Sequence, residues 1–165
     1  EDAEVMLIEY GAYGCHACKD AHESGIIEAI LEEFGDRIKV VYRDFPVIDP
    51  AYSQMASGVA QCGQEQGNDA FWQIHDAIFE RAEQGRSSQS DLINLGVQAG
   101  LDEAQLRECV QEDRYREVIN YDWQRASALG LTGTPAWVIN DQRIYVANWG
   151  HLFEAITSAL ATTNS

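Results

Sequence analysis

Cys15 and Cys18 lie two residues apart in "YGAYGCHACKDAH" (Tyr10 to His22), between an apolar run and residues of helical periodicity. On the first turn of a helix this spacing suits reversible disulfide chemistry. The free N–H groups of the turn and the helix dipole favour negative charge on the first sulfur, lowering its pKa from about 8.5 toward the range of about 3.5–7.5. Cys15 is then the nucleophile and the more exposed of the two. Cys18, one turn in and facing the core, is placed to attack a mixed disulfide on Cys15 and release the partner. Because the same charge stabilisation favours the reduced form, a strong effect makes the pair an oxidant.

The pair has two other readings. Cys15, Cys18 and one or two histidines define a zinc- or copper-binding module, but zinc needs further ligands. No second CxxC or HxxxH exists, and His16, His22, His75 and His151 are scattered, although Cys18 and His22 share a helix face. Two buried structural thiols fit less well, because a helix start exposes the first of them. The redox reading needs neither cofactor nor metal.

The elements that position the pair follow from periodicity. "VMLIEY" (Val5 to Tyr10) and "IKVVYRDF" (Ile38 to Phe45) read as buried strands. One helix is expected from Cys18 to Phe34, with Gly35 as its stop, making a βαβ unit whose first strand-to-helix turn carries the cysteines. Residues 50 to 129 read as almost entirely helical, with starts signalled at "SSQSD" and "DEAQ". His75, beside an apolar stripe, reads as a structural histidine. Ala136 to Asn140 and Arg143 to Ala147 read as two strands around a tight turn. Leu152 to Leu160 closes the chain as an amphipathic helix, and "ATTNS" is expected to fray.

With 165 residues, 45% hydrophobic, the chain suits one domain spanning 1–165. A formal charge of −16 opposes phosphate backbones and anionic lipid surfaces, so nucleic acid is excluded as a partner. No apolar run reaches the roughly 20 residues needed to span a bilayer. The acidic start "EDAEV" is neither a signal nor a transit peptide, and the chain is expected to be a mature form or an excised domain.

Together, "IEYGAYGCHACKDAH", "VVYRDFPV", "QCGQEQGNDAFWQIHDAIFE", "GLDEAQLRECV" and "ALGLTGTPAWVIN" resemble, in this order, the DsbA-like thiol:disulfide oxidoreductases. The resemblance extends from Val5 to about Leu160. It implies an α/β thioredoxin-like fold with an inserted helical block at about 50–112. It also implies an extracytoplasmic, monomeric enzyme, periplasmic or equivalent, that oxidises dithiols in client proteins and is regenerated by a membrane or soluble redox partner. A reductase or isomerase of the same fold is the alternative within the class.

The resemblance assigns Cys15 as nucleophile and Cys18 as buried resolving cysteine. It implies a cis bond before Pro135, whose loop packs on the CxxC and leaves the backbone of Thr134 free to pair with an extended client. Glu9, the only charged residue in the first apolar run, matches the family's buried acid, able to relay a proton to or from Cys18. His16 departs from the family pattern: it follows the first cysteine instead of preceding the second, yet it can support the thiolate when protonated. Cys62 and Cys109 match positions that form a structural disulfide in some members, worth roughly 4 kcal/mol in the chain-entropy model. Tyr13, Trp72, Trp137 and Trp149 are expected in the core more than in a client groove.

Overall fold

Two parallel strands set the frame of the computed structural model, which describes residues 3–163. β1 (Val5–Gly11) pairs with β2 (Ile38–Asp44), Val5 opposite Ile38 and Gly11 opposite Asp44. Parallel pairing needs a crossover, which α1 (His16–Glu23) and α2 (Ile26–Phe34) supply. The single helix expected here is two. Gly25 takes a left-handed backbone (φ 71°) that costs glycine nothing and interrupts the helix after Glu23. The break lets the pieces face different layers: α1 buries Cys18 among the helices, whereas α2 buries Ile26 and Ile30 with Val5 and Leu7 against the sheet.

β1 also pairs antiparallel with β3 (Ala136–Ile139), and β3 with β4 (Gln142–Ile144), giving the order β2-β1-β3-β4. Asn140 and Asp141 have φ of 47° and 66°, as a two-residue hairpin turn matched to strand twist requires. β3 ends at Ile139 because Asn140 enters the turn, where its side chain accepts from the Met6 N–H, and β4 runs from Gln142 to Ile144 instead of from Arg143 to Ala147.

Between β2 and β3 run α3 (Pro50–Cys62), α4 (Asn68–Arg81), α5 (Gln89–Gln98), α6 (Glu103–Gln111) and α7 (Arg116–Ala128). Ser88 and Asp91 form a full capping box at α5, and Asp102 accepts from the Gln105 N–H at α6. Cys62 and Cys109 are disulfide-bonded, joining α3 to α6 at a Cα separation of 5.8 Å. α8 (Trp149–Thr163) packs Leu152 and Ile156 on the same sheet face as α2, with Val5 and Leu7, whereas Ala126 of α7 joins Ile8 and Tyr10 on the opposite face. Of the tail expected to fray, residues 161–163 are helical, while Asn164 and Ser165 lie outside the described residues. No helix among the described residues is long and apolar enough to cross a membrane.

Candidate active site

Cys15 is the N-cap of α1, reached by a tight turn from the end of β1 in which its N–H donates to the Ala12 carbonyl at 3.0 Å. Three contacts pin that turn. The Gly14 N–H donates to Ser53 Oγ at 2.8 Å, and a Cβ on Gly14 would come within 2.8 Å of Asp49 Cβ, so only glycine fits. The Tyr13 ring lies between Tyr42 and Phe79, with its hydroxyl 2.8 Å from His75 Nδ1. Gln84, in the loop after α4, donates from Nε2 to the Tyr13 carbonyl at 2.9 Å and the Cys15 carbonyl at 3.4 Å.

Both cysteines are reduced and buried. Cys15 is the more exposed of the two, as expected, but at only 4% against 0% for Cys18, and Thr134 of the loop before β3 lies against its sulfur. The Thr134–Pro135 bond is cis, and the Cys15 thiol donates to the Thr134 carbonyl at 3.3 Å. The Thr134 carbonyl is therefore already engaged in the reduced state. The Thr134 hydroxyl is buried and has no protein partner.

Cys15 is held acidic, with a pKa lowered to about 5. The largest cause is a hydrogen bond from the Cys18 thiol, opposed by burial; the Thr134 side chain and the N–H groups of Cys18 and Ala17 also lower it. The helix start thus contributes as the sequence suggests, but the neighbouring thiol contributes more. The two roles of Thr134 belong to two protonation states: its carbonyl accepts from the thiol, and its hydroxyl can turn to the thiolate. Cys18 is shifted strongly upward by burial, by its bond to Cys15, and by the charges of Glu9 and Cys15. One sulfur is a thiolate at neutral pH and the other a thiol.

Glu9 sits on β1 with its pKa raised to about 8 by burial and then by the charge of Cys15. It lines a cleft of about 340 Å³ together with His22, Glu28, Tyr42, His75 and Asp76. His16 is exposed. His75 is buried with its pKa lowered to about 3, mainly by desolvation, and its bond to Tyr13 fits a structural histidine. Tyr13 and Trp137 are core, while Trp72 and Trp149 are half-buried. Among the described residues no third metal-ligating group joins Cys15 and Cys18; His22 groups with His75 and Asp76 instead. Sequence reasoning missed Gln84 and Ser53, polar side chains whose role is to hold backbone far away in the chain.

The family model described as thioredoxin matches residues 1–160. The chain belongs to that family, and its fold is shared by solved structures of DsbA-like proteins. BdbD from Bacillus subtilis, in its oxidised form, superposes with a TM-score of 0.85 at 22% identity, covering 98% of this chain and 90% of that one. The thiol-disulfide exchange protein α-DsbA2 from Wolbachia pipientis superposes with a TM-score of 0.82 at 20% identity, covering 96% and 83%. In sequence, the Na+/H+ antiporter NhaA 1 of Salinispora arenicola is 32% identical over 164 residues, 98% of this chain and 24% of the antiporter. The chain spans about a quarter of the length of the curated relatives it matches.

Proposed function

We propose that the chain is a thiol:disulfide oxidoreductase working as a dithiol oxidase outside the cytoplasm. The observation that carries this reading is the division of charge within one CxxC, an acidic Cys15 against a Cys18 held as the thiol. In the oxidised enzyme a client thiolate attacks Cys15 Sγ, the Cys15–Cys18 bond breaks, and Cys18 leaves as a thiolate that takes a proton, for which Glu9, the buried acid whose charge bears on both sulfurs, is the donor. A second client thiolate then attacks the client sulfur of the mixed disulfide and expels Cys15 as its stabilised thiolate. The client loses two electrons and the enzyme pair gains them. A separate disulfide-bearing or membrane redox partner must restore the oxidised pair.

Thr134 and Pro135 border a cleft shared with Trp137, Arg143, Tyr145 and Trp149, a surface of aromatic and polar groups suited to an extended client segment next to the Cys15 contact of Thr134. The disulfide of the helical layer supports an oxidising compartment. The antiporter relatives support a second setting, in which the same redox unit forms part of a larger membrane protein.

Equilibration of the Cys15–Cys18 pair with a glutathione buffer tests the direction. An oxidase gives a potential well above about −270 mV and toward about −120 mV, whereas a value at or below the lower figure assigns reduction.

A further inference from the structure

We propose that His22, His75 and Asp76 form a binding site for a divalent transition-metal ion, zinc foremost, in the cleft between α1 and α4. One ligand atom from each residue lies within 4.8 Å of the other two. The last turn of α1 supplies His22, and the middle of α4 supplies His75 and Asp76. Tetrahedral zinc at about 2.1 Å holds its ligand atoms about 3.4 Å apart, so small side-chain rotations complete the set. Two imidazoles and one carboxylate leave a fourth position open to water or a small ligand. The nitrogen content selects a first-row transition metal over calcium or magnesium, which prefer oxygen.

Two further observations point the same way. His75 uses Nδ1 to meet the Tyr13 hydroxyl at 2.8 Å, which leaves Nε2 for a ligand and fixes the ring from behind, as outer-sphere partners of metal-bound histidines do. The cleft wall carries the acidic side chains of Glu28 and Asp76 and no lysine or arginine, so nothing in it repels a cation.

The test uses chelator-stripped protein with the Cys15–Cys18 disulfide formed, so that neither thiol can bind metal, titrated with Zn2+ by calorimetry and with Co2+ by visible absorption. Binding of one equivalent with a Co2+ d–d band is expected, weakened by more than about tenfold in His22→Gln and in Asp76→Asn. Absence of stoichiometric binding, equal binding in both variants, or displacement by equimolar Ca2+ overturns the site. Should either variant misfold, the histidine ring resonances of the unaltered protein decide. Zinc must move those of His22 and His75, and movement confined to His16 or His151 overturns the proposal.

Discussion

The Cys15 thiol donates a hydrogen bond to the Thr134 carbonyl at 3.3 Å, tying the start of α1 to the loop before β3 across 119 positions of sequence. Ionisation removes that donor and leaves the buried Thr134 hydroxyl as the better partner for the sulfur. Thr134→Val deletes the hydroxyl while keeping the shape. It should raise the Cys15 pKa from about 5 by roughly one unit, the scale of one charge-assisted bond. Absorbance at the thiolate band across pH reads this directly; an unchanged midpoint refutes the role of the hydroxyl.

A depressed thiol pKa also stabilises the folded reduced protein. Its contribution is fully present above the unfolded value near 9 and is lost as pH falls toward about 5. The oxidised protein has no such group. The stability of the reduced form relative to the oxidised form should therefore rise from pH 5 to pH 9 in paired denaturant titrations. A pH-independent difference would contradict the assignment.

Glu9 works in the opposite sense. Raised to about 8 from 4.5, it holds a proton in the folded state that the unfolded chain releases, so stability falls as pH rises between those values, at up to about 1.4 kcal/mol per pH unit. Burial is the first cause of this shift and persists in the oxidised protein. Asp44, raised to about 6 mainly by burial, acts the same way at lower pH. In oxidised protein Glu9→Gln should remove most of the fall in stability between pH 7 and 8, where the His75 contribution of opposite sign has ended.

Asp44 ends β2 inside the fold, accepting from Ser57 Oγ and from Gln61 Nε2, while its own N–H donates to Asp122, which is also paired with Arg43 at 2.8 Å. The network joins the sheet to α3 and α7. Ser57→Ala leaves one carboxylate oxygen without its donor and should cost about 1–3 kcal/mol. Thermal denaturation near neutral pH checks the loss, and a change below a few tenths of a kcal/mol would show that water replaces the serine.

Removing the structural disulfide separates scaffold from chemistry. Cys62→Ala with Cys109→Ala should lower stability by about 2–4 kcal/mol. The Cys15 midpoint should stay near 5, because its causes lie within α1 and the Thr134 loop. A shifted midpoint would mean that the helical layer tunes the site.

What could be read from the sequence was whatever periodicity or a local motif encodes. The strands, most helix positions, the caps at Ser88 and Asp102, and the CxxC at a helix start are all of this kind. The split between α1 and α2 was hidden because Ile26, Ile27 and Ile30 continue a helical spacing through Gly25, and only packing against two layers demands the break. The depth of Cys15 was hidden too, since it is buried by a loop more than a hundred residues away. Gln84 left no signal at all, for a glutamine that holds backbone carbonyls resembles any surface glutamine. The grouping of His22 with His75 and Asp76 likewise depends on how α1 crosses α4.

On the proposed reading, the Cys62–Cys109 bond makes the protein a member of its own clientele. That bond must itself be made by an oxidant, an older copy of the chain or an independent source. A newly made chain kept in a reducing milieu would display the reactive pair on an unfinished frame, so its maturation and its trade depend on the same supply of oxidising equivalents.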